Sequence, residues 1–262
     1  MTTRMITSTG NSQVRNVVAL KKKPKERKEQ DVFLVEGPKM FKEAPKDEIV
    51  ETYVSSYIDK KFGSSDLLKG RKYEVVAEEV MSAMSDTKNP QGILCIVKQK
   101  HYSVADLLKE ENPLIMVLEN LQDPGNLGTI VRTAEGAGVT GILMTGDCCD
   151  IYNPKVIRST MGSIYRVPFA YTDDLHGVLK DWKNKGIGLY AAHLKGTLSY
   201  DQEDYKKPSA FLIGNESKGL TTETADLADH YIRIPMLGKV ESLNAAVASC
   251  VLMFEAARQR RN

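Results

Sequence analysis

Three short segments hold the side chains able to do chemistry. Gly214-Asn-Glu-Ser-Lys-Gly219 and Ile234-Pro-Met-Leu-Gly-Lys-Val-Glu-Ser-Leu-Asn244 are glycine-punctuated turns. Asp123-Pro-Gly-Asn-Leu-Gly-Thr-Ile-Val-Arg-Thr-Ala134 joins an apolar run to a helical pattern. Glycine lets a backbone turn tightly and lets a ligand approach it closely, and such turns at the carboxyl ends of strands form the ligand crevice of α/β proteins. Glu216 in the first turn argues against phosphate there and favours a neutral or cationic group that meets the main chain. The phosphate fingerprints Gly-Lys-Ser/Thr and Gly-x-Gly-x-x-Gly are missing.

Each polar residue also has a plain structural reading. Leu127, Ile130, Val131 and Ala134 form one apolar helix face, with Asn126 where an N-cap belongs. Arg132 points away from that face, free to meet a partner subunit or a nucleic acid, or to pair with Glu135 at i+3. Ser242 or Asn244 would cap a last helix over Leu243–Arg260. Capping explains one of them and leaves the other unexplained. The series Leu243, Val247, Cys250, Val251, Phe254 and Ala257 is expected to bury one side of that helix. Lys155, Arg158, Ser159 and Ser163 sit on or near a surface helix ending at Gly162.

The elements that must position these residues alternate. Before residue 99, strands are expected at Asp31–Val35, Ile49–Ser55, Tyr73–Ala77 and Gly92–Lys98. Helices are expected at Asn11–Leu20, Pro38–Ala44, Phe62–Lys69 and Glu78–Ser85. Residues 99–112 are polar, with a short helix near Val104–Glu110, and read as a linker. From Pro113 the strands are Leu114–Leu118, Gly141–Thr145, Val167–Tyr171, Gly188–Ala192, Ala210–Ile213 and Tyr231–Ile234. Helices lie between them over Asn126–Ala137, Pro154–Met161, Leu175–Lys185 and Thr222–Ala228. This is an α/β chain with a mostly parallel C-terminal sheet covered on both faces. The domains are 1–98, a linker over 99–112, and 113–262.

Length allows two domains with ample cores in 262 residues. No apolar run approaches the ~20 residues that span a bilayer, so no membrane association is expected, and the N-terminus lacks the apolar stretch of a secretory signal. Cys95, Cys148, Cys149 and Cys250 include no Cys-x-x-Cys pair, and no histidine stands at metal-ligand spacing. We therefore expect reduced cytoplasmic thiols and no metal. Eight Lys/Arg against two Glu give residues 1–30 a charge of +6, leaving −4 for the rest of a chain whose net charge is +2. The dense run contains Lys21, Lys22, Lys23, Lys25, Arg27 and Lys28. It supports contact with a polyanion through counterion release and reads equally as a solvated tether or localisation-like run.

Together, in order and wording, the three segments resemble the signature motifs of the SpoU family, the RNA ribose 2′-O-methyltransferases of the SPOUT superfamily, over residues 113–262. Asn11–Ala44, including Phe33-Leu-Val-Glu-Gly37, resembles more loosely the small α/β substrate-binding domain found ahead of the catalytic one, itself similar to RNA-binding ribosomal proteins. The resemblance implies a deep trefoil knot, a homodimer with active sites near the subunit interface, and S-adenosylmethionine (S-adenosyl-L-methionine) bound in the knot. By motif position the cofactor would touch Gly214, Glu216, Ile234, Met236, Leu243 and Asn244. Asn126, Arg132, Glu216, Ser242 and Asn244 match the family's polar active-site positions. An arginine at the position of Arg132 has been proposed there as a base. Guanidinium hardly deprotonates, and holding the target phosphate with a bidentate fork is physically easier. Asn244-Ala-Ala-Val-Ala departs from the Asn-Val-Ser-Val-Ala of many relatives but leaves Ser-Leu-Asn intact.

The resemblance implies methylation of a ribose 2′-hydroxyl in structured RNA, ribosomal RNA first. A transfer RNA target and an antibiotic-resistance role are the alternatives in the same class. A non-catalytic RNA-binding or ribosome-assembly factor is the alternative from another class, and the complete polar set favours the enzyme.

Overall fold

A computed structural model describes residues 5–63 and 65–261. The first four residues of the N-terminal segment and residue 64 of the expected 62–69 helix lie outside them. The chain forms two compact units, one of residues up to Lys100 with Asp150–Tyr165, the other of His101–Cys149 with Arg166–Asn262. The sequence reading assigned Asp150–Tyr165 to the second domain.

The first unit contains α1 (Ser12–Lys22), α2 (Pro24–Gln30), β1 (Val32–Glu36), α3 (Pro38–Glu43), β2 (Ile49–Ser55), α4 (Ser56–Phe62), β3 (Glu74–Val76), α5 (Glu78–Met84) and β4 (Ile93–Lys98). Its sheet has the order β1-β4-β2-β3, with β4 antiparallel to both neighbours and β3 parallel to β2. Val14, Val17 and Leu20 of α1 and Val80, Met81 and Met84 of α5 join the strands in one core. The helix expected over 62–69 falls instead at Ser56–Phe62. The Ser55 hydroxyl accepts the Ile58 N–H at 3.3 Å, and Glu78 Oε1 accepts the Tyr57 N–H at 2.7 Å. These bonds satisfy amides that a helix start otherwise leaves open.

The second unit begins with β5 (Leu114–Leu118), α6 (Pro124–Ala137) and β6 (Gly141–Thr145). The chain then enters the first unit, where α7 (Pro154–Thr160) packs on β1. It returns for β7 (Phe169–Thr172), α8 (Leu175–Asn184), β8 (Gly188–Ala192), β9 (Leu198–Ser199), β10 (Ser209–Ile213), α9 (Thr222–Ala225), β11 (His230–Arg233) and α10 (Ala245–Arg260). The seven strands are all parallel, in the order β7-β6-β5-β10-β8-β11-β9. Every residue of β5 and β10 is buried, as covered central strands require. The chain winds outward from β5 through β6 to β7, and β8 lies on the opposite flank of β10. The carboxyl ends of β5 and β10 are thus side by side at a switch in winding direction, Leu118 opposite Ile213, the ligand position of open α/β sheets. Leu107, in the segment expected as a linker, is buried in this unit's core beside Trp182 and Leu143.

Two expectations fail on burial. Lys21 donates to the Ala83 and Ser85 carbonyls at 2.8 and 2.7 Å, and burial lowers its pKa. Arg27 is 2% exposed, paired with Asp150 and donating to the Leu20 carbonyl at 2.6 Å. Neither is placed to meet a polyanion, whereas Lys22, Lys23, Lys25 and Lys28 are exposed. On α10 the buried residues are Ala246, Ser249, Leu252, Met253, Glu255, Ala256 and Gln259, while Val247 and Phe254 of the expected buried series stand 47% and 51% exposed. This helix is apolar on two sides, so periodicity alone does not select the face that packs on α6 and β10.

Candidate active site

A cavity of about 540 Å³ opens at the carboxyl ends of β8, β10 and β11. Residues 213–220 form one wall, 232–236 and 241–243 another, and 192–194 a third. Gly214, Glu216, Ile234, Met236, Ser242 and Leu243 all line it.

Local chemistry explains the first wall. Asn215 and Gly219 exchange backbone hydrogen bonds of 3.0 and 2.9 Å, closing the turn on itself. Asn215 Oδ1 accepts the Ser217 and Lys218 N–H groups, and its Nδ2 donates to the Asn120 carbonyl at 2.8 Å. A Cβ on Gly214 would lie 2.1 Å from the Gly219 carbonyl carbon, and Gly219 has φ +71°. Both positions therefore require glycine.

Glu216 faces the neighbouring chain as well as the cavity. Its carboxylate accepts the Asp123 N–H at 2.9 Å, the Gln122 N–H at 3.2 Å and the Asn126 amide at 3.0 Å. Burial alone would push this carboxyl up, but those hydrogen bonds outweigh it and hold it below the usual value. Asn126 is not the N-cap. Asp123 caps α6 by accepting the Asn126 N–H, with Pro124 at the first helical position. The Asn126 side chain is thereby released to donate to Glu216 and to accept from Asn244 Nδ2 at 3.0 Å. Asn244, expected among the cofactor contacts, does not line the cavity. It caps α10, its Oδ1 accepting the Ala246 and Val247 N–H groups.

The structure thus joins Glu216, Asn126 and Asn244 in one chain of hydrogen bonds, with Ser242 on the cavity wall. Arg132 stands exposed on α6 and has no hydrogen-bond or ion-pair partner among the described residues. Glu135 pairs with Arg166 rather than Arg132. Sequence reasoning missed Asn215, Asn120 and His193. His193 lines the cavity, and its Nδ1 accepts the Lys195 N–H at 3.1 Å. Burial, then Lys195, lower its pKa against the opposing effect of Asp226. Among the described residues no His, Cys, Asp and Glu cluster could hold a metal, and no helix is long and apolar enough to cross a membrane.

Residues 113–254 match the model of the SpoU rRNA methylase family, and residues 11–95 match an MRM3-like substrate binding domain. An uncharacterized tRNA/rRNA methyltransferase of Synechocystis sp. is 34% identical over 97% of this chain and 94% of its own. The 23S rRNA (guanosine(2553)-2′-O)-methyltransferase RlmP of Bacillus subtilis is 30% identical over 96% of this chain and 98% of its own. The AdoMet-bound rRNA methyltransferase structure from Sinorhizobium meliloti superposes with a TM-score of 0.84 at 34% identity, over 97% of each chain. With a cavity framed by two of the three motif segments and a third bonded to it through Asn126, the chain belongs to the SpoU rRNA methylase family.

Proposed function

We propose that this protein methylates a ribose 2′-hydroxyl of ribosomal RNA, with S-adenosylmethionine as donor held between residues 213–220 and 232–243. The observation that carries this reading is the shared position of Glu216, which lines the cavity and is also bonded to Asn126. The cavity is of the size that encloses a cofactor. Its apolar walls at Ile234, Met236 and Leu243 suit the donor's uncharged parts, and the Glu216 carboxylate suits a cation. When bound, S-adenosylmethionine supplies an electrophilic methyl group on a sulfonium centre.

The chain's own residues position and hold. Glu216 fixes the donor turn against α6, and Asn126 keeps that turn in register with the start of α10 through Asn244. Arg132, exposed and unpaired among the described residues, offers a guanidinium fork to a phosphate of the target RNA. Positioning of this kind supplies much of the rate of a transfer between two bound groups.

The same reading includes a homodimer, a trefoil knot and action in the cytoplasm on ribosomal RNA. The exposed Val247 and Phe254 on one side of α10 support the dimer. The return of α10 to pack on α6 and β10 after β11, which lies beyond β8, supports the knot. The test is calorimetric titration with S-adenosylmethionine, followed by mapping of ribose methylation on ribosomal RNA incubated with protein and donor. No binding heat, or no new methylated ribose, overturns the assignment.

A further inference from the structure

We infer that Glu119 is a positioning residue for the methyl-donor turn, an inference that rests on the function proposed above. Glu119 follows the last residue of β5, and its side chain is 8% exposed. Its backbone N–H donates to the Ile213 carbonyl at 2.9 Å, just where the donor turn begins. Its carboxylate accepts at the other end of the same turn. Oε2 takes the Thr221 N–H at 2.8 Å, and Oε1 takes the Thr221 hydroxyl at 2.8 Å together with the Thr224 hydroxyl. One residue therefore grips both ends of the segment 213–221.

Between those grips, the turn is registered against the residues that follow Glu119. Asn215 bonds to the Asn120 carbonyl, and Glu216 accepts from the Gln122 and Asp123 N–H groups. The two carboxylates act reciprocally. Glu216 receives amides from the β5–α6 connection, and Glu119 receives one from the connection that carries Glu216. Thr221 is the N-cap of α9, which has only four residues. So short a helix does not hold itself, and a carboxylate at its N-terminus satisfies open amides and opposes the dipole. Thr224 is fully buried, and its hydroxyl also lies 3.1 Å from His176 Nε2.

Glu119 does not itself line the cavity, so its effect reaches the donor through a pre-ordered turn. Ordering before binding lowers the cost of binding. Loss of that order therefore raises the KM for donor more than it lowers kcat at saturation.

The experiment compares Glu119→Ala, Glu119→Gln and Thr221→Val with the wild type in donor calorimetry, steady-state kinetics and thermal melting. Glu119→Ala is expected to weaken donor binding about tenfold or more, with kcat at saturating donor within about threefold and the KM for RNA within about twofold. Glu119→Gln keeps an acceptor for the Thr221 N–H and offers its amide to the two hydroxyls, so it recovers donor affinity to within about threefold of wild type. Thr221→Val, which keeps the N–H and loses one hydroxyl, falls between them. Wild-type donor affinity in folded Glu119→Ala overturns the inference. So does a loss of kcat, donor KM and RNA KM together that Glu119→Gln fails to rescue. If Glu119→Ala does not fold, Thr221→Val decides, and unchanged donor affinity in it counts against the inference. A wild type that binds no donor instead overturns the functional reading beneath it.

Discussion

Asn126 and Asn244 are 118 residues apart in sequence, and their side-chain amides meet at 3.0 Å. The opposite edge of the Asn126 amide donates to Glu216 at 3.0 Å. One carboxamide therefore spans the start of α6, the turn of residues 214–219 and the cap of α10. Asn126→Ala should reduce methyl transfer about a hundredfold, with a stability loss of about 1–2 kcal/mol from the missing hydrogen bonds. Asn126→Asp should bind donor more weakly than Asn126→Ala, because it sets a second carboxylate against Glu216. Calorimetry on both variants tests the order.

Arg132→Ala should abolish methylation while changing stability by about 0.5 kcal/mol or less, as expected for an exposed side chain without partners among the described residues. Arg132→Lys should recover only part of the activity, since a point charge replaces a bidentate fork. Full activity in Arg132→Ala, measured by label transfer to RNA, removes this residue from the mechanism.

The basic run divides into structural and exposed members. Arg27→Ala leaves Asp150 without its buried partner and should cost about 3 kcal/mol, read as a shift in denaturant midpoint. Neutralising Lys22, Lys23, Lys25 and Lys28 together should leave that midpoint nearly unchanged and flatten the salt dependence of RNA binding. An identical log–log slope for the variant and the wild type shows that these lysines do not contact RNA.

The Glu216 carboxyl has a folded pKa below its ordinary 4.5, so its contribution has a defined pH window. The ionised form is the one the turn favours. Its contribution is complete above pH 4.5 and is lost as pH falls through the lower folded value. Donor affinity measured downward from neutral pH should hold until that region and then drop. In Glu216→Gln the acid-side drop should be absent and affinity should be weak throughout.

If the exposed side of α10 is a subunit interface, Phe254→Glu should shift the protein toward monomer in sedimentation while preserving its melting profile at low concentration. A monomeric wild type would falsify the dimer reading.

Much of the fold was legible because its strands are simple. β2, β5, β6 and β8 have the bounds that apolar runs and their flanking glycines and polar residues indicate. The site was legible as positions but not as bonds. Pro124 at the first turn of α6 marks Asp123 as the cap, a signal the sequence carries locally. The bond from Asn126 to Glu216 joins residues 90 apart, and only the pairing of β5 with β10 brings them together. No local pattern encodes such a partner. α10 misled for a different reason, because Val247 and Phe254 satisfy the helical period as well as Leu252 and Met253 do.

The stretch Asp150–Tyr165 leaves one unit, lies against β1 of the other and returns. Tyr152 packs tilted against Phe33 there, with ring centroids 4.7 Å apart, and Val156 and Ile157 are buried. A single cut at residue 100 would therefore not yield two clean halves. The C-terminal fragment would carry a greasy strap with nothing beneath it, and the N-terminal fragment would show a bare flank on its first strand. Any attempt to exchange the N-terminal unit for that of a relative must graft this strap as well, or the chimera will be sticky before it is inactive.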